Sequence, residues 1–144
     1  MLIFIGGSTG SGISAAVYAL DNDKNTWTPL AGMQNARRGH ACIVLRNNIV
    51  VMGGGGATTS VEFYDLLEDK WTTGPDLDRR MVYGHATVHD GRLFAIYKDG
   101  LVMEMAGDRT AWIETEGANI GSWDVGGWRP VIPAPLLTEE MLGC

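Results

Sequence analysis

Three histidines are the residues of this 144-residue chain whose type and spacing could bind a metal ion. His85 and His89 have the i, i+4 spacing that places two zinc ligands on one face of a helix. Their segment, however, has the composition of a β-strand, in which residues four apart lie about 13 Å from each other. His40 stands in the same sequence context as His85, and no third ligand is evident. We therefore expect no metal site, and we expect His40 and His85 to satisfy hydrogen bonds within strands.

A glycine-rich loop from Gly6 to Ala15 could bind a phosphate group. Its run from Gly10 to Ala15 fits the Gly-x-Gly-x-x-Ala form of the dinucleotide fingerprint, which needs a helix to follow. The run Gly7-x4-Gly12 also fits a P-loop, except that Ile13 replaces the required lysine. No acidic residue ends a second strand about 20 positions further on. A nucleotide site is therefore the weaker alternative, and a loop between two strands is the preferred interpretation.

The charge and the cysteine content exclude several classes of protein. The net charge is −6, whereas a nucleic-acid binder needs a surplus of Lys and Arg to neutralise phosphates. No apolar stretch approaches the roughly 18 residues of a membrane span. Two cysteines, Cys42 and Cys144, are too few for a secreted disulfide scaffold, and the first residues lack the basic region of a signal peptide. We expect a cytoplasmic protein that binds neither nucleic acid nor membranes.

An internal repeat organises most of the chain. Four landmarks return in the same order, at separations of 47, 44, 44 and 45 residues: Gly6 and Gly53, Asp21 and Asp65, Trp27 and Trp71, His40 and His85. A period of this length is typical of four-stranded propeller blades. A third, weaker copy has the apolar strand Arg92–Ile96 and Trp112, but Tyr97-Lys98 stands in place of the glycine pair.

One period can be divided into four short strands. Gly39 to Leu45 is small and apolar, and Ile49 to Met52 is a buried strand that ends in glycines. Ser60 to Leu66 alternates, with Val61, Phe63 and Asp65 on one side and Glu62, Tyr64 and Leu66 on the other, so we expect a half-buried strand. Lys70 to Thr73 is the fourth strand. The predicted segments are an incomplete blade over 1–36, blades over 37–78 and 79–115, and a degenerate blade or tail over 116–144.

The tryptophans separate into periodic and non-periodic ones. Trp27 and Trp71 recur with the repeat, so we expect both in the core, and Trp112 with them. Trp123 and Trp128 fall outside the period, among glycines. They belong either to a degenerate blade or to an exposed aromatic pair.

The second repeat resembles the kelch motif. It has a strand ending in Gly53-Gly54, an aromatic-Asp pair at Tyr64-Asp65, Trp71 six residues later and an Arg-x-His type of start to the next strand. The resemblance extends over residues 1–115 with falling quality, since Leu20 stands where Tyr64 does and the third copy has lost its Asp. It implies an all-β protein of kelch-type β-propeller blades, in which the glycine pair and the tryptophan pack between and within blades.

The number of blades raises the question of closure. Closed propellers have about four to eight blades, and this chain has about three four-stranded antiparallel ones. We therefore expect an incomplete or open propeller. It is a fragment of a longer propeller, a chain whose copies self-associate to complete one, or an open and less stable stack with exposed blade faces.

The family resemblance also implies where a partner would bind. In kelch proteins the loops at one end of the blades commonly form the partner surface, and function is often carried by such loops. By resemblance they include residues 34–39 and 79–84, which contain the expected partner-binding residues Arg37, Arg38, Arg79, Arg80 and Tyr83. Arg is suited to carboxylate recognition because its fork donates two parallel hydrogen bonds.

These features predict a protein-interaction module that binds another protein or an acidic peptide. We expect no catalytic residues, no cofactor and no enzyme activity. The alternatives are a propeller-based enzyme similar to the copper oxidases among kelch-like proteins, or a nucleotide binder at the Gly6–Ala15 loop.

Overall fold

A computed structural model describes residues 2–116 and 118 of the chain. Within that part the regular structure consists of β-strands without a helix: β1 Leu2–Ile5, β2 Ser8–Thr9, β3 Gly12–Ile13, β4 Val17–Asp21, β5 Thr26–Leu30, β6 Ala41–Leu45, β7 Asn48–Met52, β8 Val61–Asp65, β9 Lys70–Thr73, β10 His85–His89, β11 Arg92–Ile96, β12 Val102–Met105 and β13 Trp112–Glu114. The all-β prediction is confirmed. Over the same residues there is no helix that could cross a membrane.

The strands form three antiparallel sheets and one small hairpin. Sheet 1 has the order β1-β4-β5, sheet 2 the order β6-β7-β8-β9, and sheet 3 the order β10-β11-β12-β13. Strands β2 and β3 pair only with each other. The linkers 31–40 and 74–84 connect the sheets. The segmentation of the chain into blades stays a prediction, and its last segment, with Trp123 and Trp128, lies outside the described residues.

The Asp of each Asp-x5-Trp segment forms the sharp turn between the last two strands of its sheet, β4 and β5 in sheet 1 and β8 and β9 in sheet 2. In sheet 2 the Asp65 Oδ1 accepts hydrogen bonds from the backbone N–H groups of Leu67 and Glu68, at 2.8 and 3.1 Å. Asp21 does the same for the two equivalent N–H groups in sheet 1. This local Asx turn brings the chain back antiparallel and fixes the spacing to the tryptophan.

The core lies between neighbouring sheets. One cluster joins Val17 of sheet 1 to Ile49, Val51, Tyr64 and Trp71 of sheet 2. A second cluster joins the other face of sheet 2 to sheet 3. Strand β8 is therefore covered on both faces, and the predicted half-buried strand is wrong: Glu62 is fully buried.

The glycine pairs are contact points between a sheet and the linker that follows it. The N–H of Gly7 donates to the Arg37 carbonyl, and that of Gly54 to the Met81 carbonyl, each at 2.7 Å. Gly53 has φ +65°, and a Cβ there would lie 2.3 Å from the Met81 carbonyl oxygen. Only glycine allows both the left-handed conformation and this close approach. The expected packing role of the glycine pair is confirmed.

The three periodic tryptophans do not have the same environment. Trp71 is 7% exposed, and its indole N–H donates to the Ala31 carbonyl across the junction of sheets 1 and 2. Trp112 makes the equivalent bond to the Pro75 carbonyl and packs against the second core cluster. Trp27 is 49% exposed, so its predicted core position is wrong. The reason is that no preceding sheet covers it within the described residues.

Candidate partner-binding loops

The two linkers meet at one end of the sheets, where Tyr83 lies on Gly39. The Tyr83 N–H donates to the Gly39 carbonyl at 2.8 Å, and both residues have a positive φ. A Cβ on Gly39 would lie 2.6 Å from Cε1 of the tyrosine ring, so the ring rests directly on the glycine backbone. Tyr83 is nevertheless 55% exposed. Its aromatic face is therefore held in place and open to solvent.

Arg38 precedes Gly39 and is also exposed. Its backbone forms a two-way bridge with Gly55, with N–H to carbonyl distances of 3.2 and 2.8 Å. This bridge ties the linker 31–40 to the loop that follows the glycine pair of sheet 2. The guanidinium itself has no ion pair or hydrogen bond to any other described residue.

Arg79 is committed to contacts within the chain. Its Nη2 bonds both carboxylate oxygens of Asp99, at 2.7 and 2.8 Å, and its guanidinium lies 4.5 Å from the centre of the Tyr97 ring. Tyr97 is buried and its hydroxyl donates to Asp78 at 3.1 Å. Burial, together with the neighbouring Asp78 carboxylate, raises the pKa of this phenol well above its usual value. The arginine is therefore fixed by a carboxylate on one side and a neutral aromatic ring on the other.

Arg80 is exposed and, over the described part of the chain, makes no ion pair. It lines a shallow pocket of about 250 Å³ between the linker 74–84 and the turn after β11. The pocket is lined by Arg79, Arg80, Met81, Val82, Tyr97, Lys98 and Asp99. It has three cationic side chains and one acidic one around an apolar base, which favours an anionic group with apolar neighbours.

Arg37 does not belong to this surface, which corrects its assignment as a partner-binding residue. Its side chain is fully buried. Nη1 donates to the carbonyls of Gly53 and Ser60 at 2.8 and 2.9 Å, and Nη2 lies 2.6 Å from Oε1 of Glu62. Because the linker carries Arg37 and Arg38 in succession, one side chain enters the sheet junction and the other points to solvent.

Glu62 is the polar residue that the sequence analysis missed. Its carboxylate also accepts hydrogen bonds from the backbone N–H of Gln34, at 2.7 Å, and from the N–H of Asn35, at 3.2 Å. The carboxylate thereby holds the linker that carries Arg38. The available signal was an acidic residue between Val61 and Phe63, in a strand next to the apolar strand β7.

The histidines do not form a metal site within the described residues. His40 lies beside Gly54, and its Nδ1 is buried without a hydrogen-bond partner in the described structure, contrary to the expected strand hydrogen bond. Burial and the nearby Arg37 cation lower the pKa of His40, and burial lowers the pKa of His85. Among the residues described, no group of three His, Cys, Asp or Glu side chains could hold a metal ion.

The loop considered for nucleotide binding forms a hairpin. Its glycines join β2 to β3, and β4 follows without an intervening helix. A phosphate loop needs the N–H groups at the start of a helix. The dinucleotide and P-loop interpretations therefore lack the element on which their chemistry depends.

The match to a known family covers the central part of the chain. Residues 36–77 match the model described as the kelch motif. No curated protein sequence matches the chain. The matched residues span all four strands of sheet 2, from the linker at Arg37 to the buried Leu77. Residues 36–77 are thus a kelch motif, and the four-stranded antiparallel sheets of the chain are blades of a kelch-type β-propeller.

Proposed function

We propose that this chain is a protein-interaction module without catalysis of its own, and that it binds a partner protein or acidic peptide in a cytoplasmic setting. The proposed contact surface consists of Arg38, Arg80 and Tyr83, with Arg79 at its edge. The kelch motif supports an interaction role. The observation that carries the choice of surface is that Arg38 and Arg80 are exposed cations without ion pairs in the described structure.

The geometry favours an acidic ligand with an aromatic or apolar neighbour. Tyr83 is held on Gly39 by backbone contacts, so little conformational entropy is lost when a partner covers its ring. The guanidinium groups of Arg38 and Arg80, which have no ion pair in the described structure, can each donate two parallel hydrogen bonds to a carboxylate. Arg79 is less available because its fork already binds Asp99.

The proposal is tested with fluorescently labelled peptides that contain Glu or Asp next to an apolar residue, by titration calorimetry or anisotropy. We expect Arg38→Ala and Arg80→Ala each to weaken binding by about 1–3 kcal/mol, without a change in the unfolding transition. Lys70→Ala is the matched control, since it removes an equal charge from an exposed site at the other end of β9. Equal losses in the control and in the two arginine variants would show general charge attraction and refute the surface.

A further inference from the structure

One face of sheet 1 is apolar, and no other described residue covers it. Because directly opposed residues of antiparallel strands lie on the same face, the pairing of β1, β4 and β5 defines two rows of three side chains. We call this the receiving face, and its rows are Leu2, Leu20 and Trp27, and Phe4, Tyr18 and Pro29. Leu2 and Phe4 are 56% and 53% exposed, and Tyr18 and Trp27 are exposed as well.

The corresponding faces of the other two sheets are covered. In sheet 2 four of the six positions are occupied by Ile49, Val51, Tyr64 and Trp71, all in the core cluster shared with sheet 1, and the other two by the buried Glu62 and by Thr73. In sheet 3 four of the same positions are occupied by Leu93, Ala95, Met103 and Met105, all buried in the cluster shared with sheet 2. The same face therefore packs against another sheet in both cases where a preceding sheet is present.

A hydrogen bond accompanies this packing at each junction. The indole N–H of Trp71 donates to the Ala31 carbonyl at 2.7 Å, and that of Trp112 to the Pro75 carbonyl at 3.0 Å. Each acceptor lies just beyond the last strand of the preceding sheet. The Trp27 indole stands at the same position and has no hydrogen-bond partner among the described residues. The missing occupant therefore supplies both an apolar sheet face and a backbone carbonyl.

Sheet 3 carries the complementary face. Phe94 and Ile113 lie on the side opposite to Met103, and Ile113 is 59% exposed. We call this the covering face, because sheets 1 and 2 use the same side to cover the next sheet. Between Phe94 and Ile113, on the middle strand β12, the same face carries Glu104, which forms an ion pair with Arg92. Over residues 2–116 and 118, one receiving face and one covering face are therefore without a neighbouring sheet.

We propose that a second copy of this chain packs the covering face of its sheet 3 on the receiving face of sheet 1. A second copy fits because its sheet 3 offers the side that covers the next sheet elsewhere in the chain, with the apolar side chains Phe94 and Ile113 on either side of the Arg92–Glu104 ion pair, and backbone carbonyls just after β13. Reciprocal packing of two copies also uses all four exposed faces at once. Three sheets from each copy give six, which lies within the range of about four to eight blades in closed propellers. This inference does not depend on the proposed partner surface at Arg38 and Arg80.

The test measures the mass of the full chain by light scattering over a range of concentrations. We expect the mass of two chains for the wild type, and of one chain for Phe4→Glu and for Ile113→Glu. Leu67→Glu is the matched control, since Leu67 is 78% exposed in a turn away from both faces, and it should leave the pair intact. Circular dichroism of each variant reports whether the sheets are retained.

Mixing the two interface variants gives the decisive result. The Phe4→Glu chain keeps its covering face and the Ile113→Glu chain keeps its receiving face, so we expect the mixture to regain pairs through one intact junction. Failure of the mixture to associate would indicate pairing of like faces and overturn the proposal.

Three other results contradict the proposal: a wild type that stays monomeric at all concentrations, a larger open assembly, and a pair unaffected by Phe4→Glu. If the wild type is monomeric, shielding of Trp27 from acrylamide shows what covers the receiving face. Trp27 shielding is measured as the difference between wild type and Trp27→Phe. A shielded Trp27 in a monomer means that residues of the same chain cover the receiving face.

Discussion

Arg37 and Glu62 form a fully buried ion pair between the first linker and sheet 2, with Nη2 2.6 Å from Oε1. At the next junction the two equivalent positions are Met81 and Met103, which lie buried in an apolar cluster. Arg37 and Met81 correspond because the carbonyl of each accepts the N–H of the second glycine of a Gly-Gly pair. Glu62 and Met103 are each the second residue of the third strand of their sheet. Two junctions of the same geometry thus use opposite chemistry.

The first prediction concerns the cost of breaking this pair. Arg37→Met leaves the Glu62 carboxylate buried without its cation, so we expect a loss of about 3–5 kcal/mol in the free energy of unfolding. The double variant Arg37→Met with Glu62→Met copies the next junction and removes both charges. It should lose less than the sum of the two single variants, by about 0.5–3 kcal/mol. Urea unfolding measures all three, with Lys70→Ala as the control for loss of an exposed cation, and additive losses would refute the coupling.

The second prediction concerns the glycine pair of sheet 2. Gly53→Ala forces a Cβ to within 2.3 Å of the Met81 carbonyl oxygen at φ +65°. The left-handed conformation alone costs an L-residue about 1–2 kcal/mol, and the displacement of the linker adds to that cost. Gly10→Ala is the control, since a Cβ there meets no atom within 4 Å. We expect thermal unfolding to shift down strongly for Gly53→Ala and little for Gly10→Ala. Equal shifts would contradict this account of the contact.

The third prediction concerns the indole hydrogen bonds across the junctions. Trp71→Phe removes the donor to the Ala31 carbonyl but keeps an aromatic ring in the site. We expect a loss of about 1–3 kcal/mol in the free energy of unfolding, because the partly buried acceptor loses its donor. Trp112→Phe should act in the same direction through Pro75, whereas Leu67→Ala, in an exposed turn, should change little. Chemical denaturation followed by circular dichroism provides the measurement, and a Trp71→Phe chain as stable as Leu67→Ala would exclude the hydrogen bond as a stabilising contact.

The repeat in the sequence was sufficient to predict the strands and the sheets. Glycines, Asp turns and tryptophans act locally or through contacts that recur with the period, so their roles follow from spacing. Trp71 and Trp27 show where this reasoning ends. Both have the same period, but burial depends on whether another sheet lies against that face, and this is a property of the assembled stack.

The site was only partly predictable for a related reason. Arg37 and Arg38 are adjacent and identical in type, and nothing local indicates which one enters the junction. The difference depends on the Glu62 carboxylate, 25 residues away in sequence, which provides the buried partner for Arg37. An alternating strand normally has one solvent-exposed face, but β8 is covered on both faces and its residue Glu62 is buried.

The final prediction concerns the pH dependence of stability. Burial, with the nearby Arg37 cation, lowers the pKa of His40 from its ordinary value of 6.5, and burial lowers that of His85. As the pH falls below about 6.5, the unfolded chain therefore binds protons that the folded chain does not. Stability should accordingly decrease from pH 7.5 towards the lower, folded-state pKa values, and change little above pH 7.5 on account of these groups.

Variants assign this slope to particular residues. His40→Gln should flatten the dependence of the unfolding free energy on pH between 7.5 and 5.5, because its proton uptake on unfolding is removed. His89→Gln is the matched control, with a side chain that is 41% exposed at the sheet surface. Urea unfolding at several pH values gives the slopes directly. If the slope for His40→Gln equals that of the wild type, the imidazole of His40, with its buried Nδ1, is not the source of the acid sensitivity.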